Sequence, residues 1–184
     1  MRLTEEQKAL ARRCLDENIR SGLCCSESVF LALIRSGVVD LPEEASALVS
    51  GLCGGVGGTG NTCGALTGAV LGLSAVYGRP DPIGNRARML RDAKPEMAVT
   101  DPKEDYRYYM MRRFNNIPGD FKKQFGSVLC RELIAGVGGY KSPERPAFCR
   151  RAMEASLELA LKYIDMDDET ANALPYAENL FGWK

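Results

Sequence analysis

The sequence predicts an all-α protein, a compact bundle of about six to seven helices with a glycine-rich loop before the central helix. Apolar residues recur at helical spacing along most of the chain, whereas no stretch keeps the period of two that is typical of strands. Glycine or proline marks the end of most helical segments. With 184 residues and 45% hydrophobic residues, the chain is long enough for one hydrophobic core. We therefore predict a single domain over residues 1–184.

Three helices are predicted before the glycine-rich loop (residues 54–61). The first begins at a capping box, Thr4 to Gln7, and ends at Gly22. The second is a short apolar helix over residues 26–36. The third begins in the Asp40–Glu44 segment, which supplies an N-cap and a proline, and runs to about Cys53.

The next predicted helix follows the loop and is rich in small residues. It runs from Asn61 or Thr62 to about Tyr77. Residues 79–102 form an irregular connection, because the prolines at its start do not fit a helix. A further helix is capped by Asp101-Pro102 and broken by Pro118-Gly119.

The C-terminal part of the chain predicts two more helices and a tail. Ser127 caps a helix over residues 128–135, and a long helix runs from about Pro146 to Met166. Residues 167–184 form a C-terminal tail. Four apolar side chains are expected to order that tail in part: Leu174, Leu180, Phe181 and Trp183.

Charge and hydropathy exclude several classes of partner. The chain has 24 basic and 24 acidic residues, so nothing in its net charge favours nucleic acid. The aromatic and basic stretch at residues 106–114 has helical spacing, which favours a core face with its arginines in solvent. The charged N-terminus lacks the apolar core of a signal peptide, and no apolar run approaches the roughly 20 residues of a membrane span. We expect a cytoplasmic protein without membrane insertion.

The chain has seven cysteines and no histidine. The missing histidine excludes histidine triads, Cys-His nucleophiles, mixed Cys/His zinc sites and histidine haem ligation. Many cysteines in a cytosolic protein indicate metal or redox chemistry more often than structural disulfides. Four lie at the N-terminal ends of predicted helices: Cys25, Cys63, Cys130 and Cys149. Because the helix dipole favours a thiolate there, we expect lowered pKa values for these thiols.

The other three cysteines have weaker signals. Cys14 lies in an apolar helical stripe and is interpreted as a core residue. The sequence does not decide whether Cys24 and Cys53 are bystanders or resolving thiols. No pair has the C-x-x-C spacing, so the fold must assemble any site, either as disulfides or as ligands of an iron–sulfur or other metal centre.

The glycines fall into two sets. Residues 55–60 match G-x-G-x-x-G, but the preceding segment is predicted to be helical, and this disfavours a dinucleotide-binding site. A backbone nest for an anion or a bridging sulfur stays open. The second set has a spacing of four and predicts close helix packing from Gly64 through Gly68 to Gly72. Thr67 lies on the face of Cys63, where its hydroxyl could bond either the sulfur or its own backbone.

These motifs resemble a known family of redox proteins named for a C, GCAxxG, C, C cysteine pattern. The matching pieces are Cys25 to Phe30, the loop leading into Cys63 to Gly68, Phe125 to Leu133, and Cys149 at the start of the last long helix. The resemblance implies a small helical protein in which Cys25, Cys63, Cys130 and Cys149 are the functional set. Relatives with attached haem or ferredoxin segments imply electron transfer, although this chain has neither a C-x-x-C-H site nor an added cysteine cluster. It departs from the pattern in its 79–117 connection, the extra Cys24 and Cys53, and its tail.

We therefore interpret the chain as a thiol-redox or electron-transfer protein. Cys63 would be the activated thiol, with Cys25, Cys130 and Cys149 as its partners and Gly64, Thr67 and Gly68 in support. In a first alternative the same four cysteines hold an iron–sulfur or other metal centre. In a second, the protein is a non-catalytic helical interaction module. The redox partner, a protein or a small molecule, is not indicated by the sequence, and the oligomeric state stays open, with a homodimer among the alternatives.

Overall fold

The computed structural model describes residues 2–79, 81, 83–84, 106–180 and 182–183, with the side chains of residues 106–110 left out. Its elements, in chain order, are α1 (Glu5–Arg20), α2 (Cys25–Arg35), a 3₁₀ segment (Glu43–Leu52), α3 (Gly64–Tyr77), α4 (Tyr106–Phe125), α5 (Cys130–Ala135), α6 (Arg145–Asp165) and α7 (Asp168–Ala173). The described residues contain no strand beyond one isolated bridge, Thr62 to Leu129. The all-α prediction is confirmed.

The short helix α2 lies at the centre of the core. Eight residues of this helix, Ser26 and residues 28–34, are buried. The helix therefore has no solvent-facing stripe over most of its length. It packs against α1, α3 and the 3₁₀ segment, and α3 packs in turn against α6. The Ser26 hydroxyl donates to the Val49 carbonyl at 2.8 Å and ties α2 to the 3₁₀ segment.

The glycine stripe of α3 lets it approach α2 closely, as the spacing predicts. A Cβ at Gly68 would lie 2.6 Å from the Ser26 carbonyl oxygen, and one at Gly72 would overlap the Leu33 side chain. Both glycines are buried. Only residues without a side chain allow the two backbones to lie this close.

The third predicted helix differs from its prediction in helix type, and α4 differs in extent. The third predicted helix is a 3₁₀ segment that ends at Leu52. Helix α4 runs through Pro118 rather than breaking there. Ile117 and Phe121 on either side are fully buried, and their burial offsets the roughly 3 kcal/mol that a proline costs inside a helix.

Helix α5 begins two residues later than predicted. The backbone of residues 128–129 is used for pairing with residues 62–63, so the helix starts at Cys130 with Leu129 as its N-cap. Ser127 still acts locally, because its hydroxyl accepts from the Leu129 N–H at 3.0 Å. Helix α6 agrees with its predicted span to within one residue.

The arginines of α4 do not all lie in solvent. Arg113 is 5% exposed, because its guanidinium donates to the carbonyls of Tyr163 and Met166 at the end of α6. This part of the prediction for residues 106–114 is wrong, while the predicted aromatic face at 106–110 lies outside the described side chains.

The tail is ordered in part. Residues 168–173 form α7, Trp183 is buried and Leu174 packs against the core, whereas Leu180 is fully exposed. Phe181, most of the 79–102 connection and the Asp101-Pro102 cap lie outside the described residues. Within the part of the chain that is described, no helix combines the length and apolar character needed to cross a membrane.

Candidate functional site

The four cysteines singled out from the sequence line one cavity. Cys25, Cys63, Cys130 and Cys149 come from four different helix starts and surround a space of about 30 Å³. Apolar side chains complete the wall, among them Leu133, Ile134 and Phe148. A cavity of this size has room for one or two water molecules. The fold therefore brings together four thiols that are up to 124 positions apart in the sequence.

Backbone pairing places Cys63 beside Cys130. The Cys63 N–H donates to the Val128 carbonyl at 2.8 Å, and the Cys130 N–H donates to the Asn61 carbonyl at 2.7 Å. These bonds flank the antiparallel Thr62–Leu129 bridge. Because each cysteine is the residue next to the bridge, the helices α3 and α5 start side by side with a cysteine at each start.

Cys25 reaches the same cavity because Gly64 has no side chain. A Cβ at Gly64 would lie 2.5 Å from the Cys25 Sγ and 3.0 Å from the Leu52 carbonyl oxygen. Both distances are far below van der Waals contact. Gly64 thus supports the site by leaving room for a sulfur, and Gly68 supports it by holding α2 against α3.

Cys149 lies one turn into α6, with a cation close by. Arg145 begins this helix, and its guanidinium hydrogen-bonds the Cys149 thiol and favours its thiolate form. The same guanidinium lies 4.3 Å from the centre of the Tyr140 ring. Burial still dominates at Cys149 and raises the pKa of its thiol.

A fifth cysteine, Cys53, joins the cluster. Its sulfur lies 4.0 Å from the Cys25 Sγ. A hydrogen bond with Cys53, together with burial, raises the pKa of Cys24 to about 12. A negative charge on Cys53 would also disfavour ionisation of Cys63, Cys130 and Cys149. Cys53 therefore has an electrostatic effect on every other member of the cluster.

The glycine-rich loop has a backbone that few other residues could adopt. Gly54, Gly55, Gly57, Gly58 and Gly60 all have positive φ angles, and so does Val56 at 63°. A β-branched residue rarely occupies this region. The loop therefore needs its glycines to adopt this backbone conformation.

The N–H groups of this loop are already engaged. Those of residues 56–61 donate to carbonyls of residues 51–56, and the Gly54 N–H donates to the Cys25 sulfur. A phosphate cradle requires N–H groups that point at the ligand. Neither the dinucleotide interpretation nor an anion nest at residues 56–61 fits this arrangement.

The expected lowering of the cysteine pKa values is wrong. Burial raises the pKa of Cys63, although the N–H groups of Leu66 and Ala65 favour its thiolate. Burial likewise raises the pKa of Cys25 to about 12 and raises that of Cys130. The four cysteines do lie at or near helix starts, but the apolar cavity penalises a charged sulfur more than the N–H groups stabilise it.

Two smaller predictions are settled by contacts. The Thr67 hydroxyl donates to the Gly64 carbonyl at 3.0 Å, so it satisfies the backbone of its own helix instead of the Cys63 sulfur. Cys14 is buried in the hydrophobic core, as predicted.

All seven cysteines lie within the described residues and are free thiols. In this part of the chain, no three Cys, Asp or Glu side chains are placed to hold a metal ion together. The sulfurs of two cysteines, Cys25 and Cys53, are in contact.

Sequence reasoning left Cys53 undecided and missed Arg145. The position of Cys53 depends on the fold of the loop that follows it, which the sequence does not specify. Arg145 did carry a signal, because it precedes Cys149 by four residues and such residues are neighbours on a helix. The predicted start of α6 at Pro146 placed it outside the helix.

Comparison with known proteins identifies the family of the chain. Residues 23–163 match the model of the family described as "Putative redox-active protein (C_GCAxxG_C_C)". Neither a curated protein nor a solved structure matches the chain. The family match contains the four cavity cysteines and covers more than half of the 184 residues. The chain belongs to the C_GCAxxG_C_C family.

Proposed function

We propose that this protein carries out thiol–disulfide exchange with Cys25, Cys63, Cys130 and Cys149. The observation that carries the proposal is their convergence on one small apolar cavity. Cysteines that only fill a core need not share a cavity, and Cys14 illustrates that case. The family description, redox-active, agrees in its general terms.

The contact between two sulfurs favours disulfide chemistry over a metal centre. A disulfide needs two sulfurs about 2.05 Å apart, and the Cys25 and Cys53 sulfurs are 4.0 Å apart without any rearrangement. A metal centre needs three or four ligands within coordination distance of one point, and the described residues contain no group of three Cys, Asp or Glu side chains placed in that way. We therefore treat metal binding as an outcome of the test below and not as the main proposal.

The reaction balances with a disulfide as the partner. One cysteine thiolate attacks a sulfur of the partner disulfide, forms a mixed disulfide and releases one partner thiolate. A second cysteine thiolate attacks the mixed disulfide and releases the other partner thiolate. Two cysteines thus lose two electrons, and their two protons pass to the released thiolates. The reverse sequence reduces the protein with a dithiol.

Burial in the cavity also limits the reactivity of these thiols. The attacking species is the thiolate, and burial raises the pKa of all four cavity cysteines. The reduced cluster is therefore stable as neutral thiols at neutral pH. We place the reaction in the reducing cytoplasm, where free cysteines are the usual state.

Disulfide mapping after controlled oxidation tests this proposal. The reduced full-length protein is treated with diamide, its remaining thiols are alkylated, and its disulfides are located by mass spectrometry. We expect intramolecular disulfides among the cluster cysteines, restored to thiols by a dithiol reductant. Cys14→Ala serves as the control, since it removes a buried thiol outside the cluster and should leave the disulfide pattern unchanged.

Two results would contradict the proposal. Iron or zinc in stoichiometric amount, together with protection of the four thiols from alkylation, would favour the metal-centre alternative. Seven thiols that stay free through oxidation would favour the non-catalytic interaction module.

A further inference from the structure

A second cavity opens beside the cysteine cluster. This outer cleft has a volume of about 620 Å³ and lies between the glycine-rich loop and α5. Its lining includes Cys53, Gly54, Gly58, Cys130, Arg131 and Tyr140. Ligand sites typically measure about 300–1,000 Å³. The outer cleft is therefore large enough for a small organic molecule, which the 30 Å³ cavity is not.

Cys53 links the outer cleft to the buried thiols. It lines the cleft, and its sulfur is 4.0 Å from the Cys25 Sγ, which lines the inner cavity. Cys53 does not line the inner cavity itself. A molecule bound in the outer cleft can thus contact Cys53, and the Cys25 sulfur lies next to the Cys53 sulfur.

The charge of the cleft indicates the kind of molecule. Arg131 supplies the one charged side chain among the described residues that line it. At its rim, Tyr140 is 67% exposed and stacks with the guanidinium of Arg145. The guanidinium of Arg131 favours a carboxylate-bearing ligand.

We infer that Cys53 is the entry thiol of the cluster and reacts with a small, carboxylate-bearing disulfide bound in the outer cleft, after which Cys25 resolves the product. This inference rests on the proposed thiol–disulfide exchange. It adds a cysteine outside the four-cysteine set and names a substrate class.

The steps balance within the two thiols and the one substrate disulfide. The Cys53 thiolate attacks one substrate sulfur, breaks the substrate S–S bond and expels the first substrate thiolate. The Cys25 thiolate then attacks the Cys53 sulfur, which expels the second substrate thiolate and leaves a Cys25–Cys53 disulfide. The two electrons come from Cys25 and Cys53, and their two protons go to the two substrate thiolates.

Trapping of the mixed disulfide tests the order of the two thiols. In the double variant Cys24→Ser/Cys25→Ser, which removes both thiols that interact with Cys53, reduced protein is treated with oxidised glutathione and analysed by peptide mass spectrometry. We expect one glutathione adduct on Cys53. An adduct on Cys130, the other cysteine of the cleft, or no adduct at all would overturn the inference.

A rate comparison separates this inference from the proposed function. In Cys53→Ser we expect oxidation by glutathione disulfide to slow by more than about tenfold, because the variant lacks the cleft thiol whose sulfur lies 4.0 Å from the Cys25 Sγ, while diamide still forms disulfides among the other cysteines. If Cys53→Ser reacts with glutathione disulfide at the wild-type rate, the inference fails and the proposed function stands. If diamide forms no disulfide in the wild-type protein, the proposed function fails first. Circular dichroism confirms that each variant is folded.

Substrate charge gives an independent test. We expect glutathione disulfide, which bears carboxylates, to react faster than the cationic disulfide cystamine. In Arg131→Gln this preference should shrink by roughly fivefold, the effect of one charge pair near a hydrated surface. Equal rates for the two disulfides in the wild-type protein would overturn the assigned substrate class.

Discussion

The two ends of α3 hold buried groups in opposite ways. At its C-terminal end, Tyr77 stacks with Arg113, whose guanidinium donates to two carbonyls and to Asp168. At its N-terminal end, Cys63 shares an apolar cavity with three other thiols. The polar end is fixed by strong hydrogen bonds in defined directions, whereas sulfurs make weak ones.

The polar groups at the C-terminal end of α3 thus form a structural hydrogen-bond network, whereas the thiols at its N-terminal end can form new bonds with one another. Asp120 adds to the polar end, with hydrogen bonds from Lys162, Tyr163 and Lys123. Breaking such bonds costs folding free energy and offers no new bond in return. Two thiols in contact can instead form a covalent S–S bond when a partner disulfide takes up their two electrons and two protons. We therefore expect mutations at the polar end to change stability and mutations at the thiol end to change redox behaviour.

The largest stability effect is expected for Arg113→Met. This change leaves the carbonyls of Tyr163 and Met166 without their donor, and it should lower the free energy of unfolding by about 3 kcal/mol. Chemical denaturation measures this, with Arg20→Met as the matched control because the Arg20 side chain, which pairs with Asp16, is 72% exposed. A changed disulfide pattern in Arg113→Met would break the separation between the two ends.

A pair of glycine variants tests the close packing of α3 on α2. The Cβ of Gly68→Ala would meet the Ser26 carbonyl, which is backbone and cannot move independently, so we expect a loss of about 2 kcal/mol. In Gly72→Ala the obstacle is the end of the Leu33 side chain, which can rotate. Gly72→Ala should therefore cost less, and an equal or larger cost by thermal denaturation would contradict this explanation.

At the polar end of α3, Asp120 should determine how the free energy of unfolding falls at acid pH. Burial alone would raise the pKa of Asp120, but hydrogen bonds from Lys162, Lys123 and Tyr163 hold it at about 2. A depressed pKa stabilises the folded state above the unfolded pKa of about 3.9. That contribution, about 1–2 kcal/mol, is lost as pH falls from 4 to 2. In Asp120→Asn, denaturation curves over this range should show a flatter decline than in the wild type.

At the thiol end of α3, Cys25 should determine how the free energy of unfolding falls at alkaline pH. Burial raises the pKa of Cys25 to about 12, so its neutral form stabilises the folded state fully below the unfolded pKa of about 8.5. As pH rises above that value, the free energy of unfolding should fall by up to about 1.4 kcal/mol per pH unit. Reduced Cys25→Ser should lose this dependence in part. An unchanged alkaline slope in that variant would show that Cys25 is not held neutral by the fold.

The smallest effect is expected for Thr67→Val. The Thr67 hydroxyl bonds only the Gly64 carbonyl, and this carbonyl gains little from a second donor. We expect a stability change below about 1 kcal/mol and the wild-type disulfide pattern. A shifted redox potential in Thr67→Val would instead assign the hydroxyl to the Cys63 sulfur.

Features that depend on local pattern could be predicted from the sequence. The helical period gave the all-α class, the capping box placed the start of α1, and the spacing of Gly64, Gly68 and Gly72 predicted the close packing on α2. The four cysteines that line the inner cavity could be singled out from the sequence, because each lies at or near a helix start.

Features that depend on tertiary contacts could not be predicted. Pro118 lies inside α4 because core packing compensates for its cost. Arg113 is buried because the carbonyls at the end of α6 need a donor. The pKa direction at Cys63 was wrong because a helix start gives the N–H groups but not the depth of burial. Cys53 reaches Cys25 only through the fold of a loop with six positive φ angles.

An equilibrium redox titration of the cluster tests the central claim most directly. The full-length protein is equilibrated in dithiol–disulfide buffers of graded potential, and its cysteine oxidation state is counted by alkylation and mass spectrometry. We predict a reversible two-electron transition, with a change of about 30 mV for each tenfold change in the ratio of oxidised to reduced protein. The transition should be altered in Cys63→Ser and unchanged in Cys14→Ala. A wild-type protein without a reversible transition, or with one that Cys63→Ser leaves intact, would contradict the account.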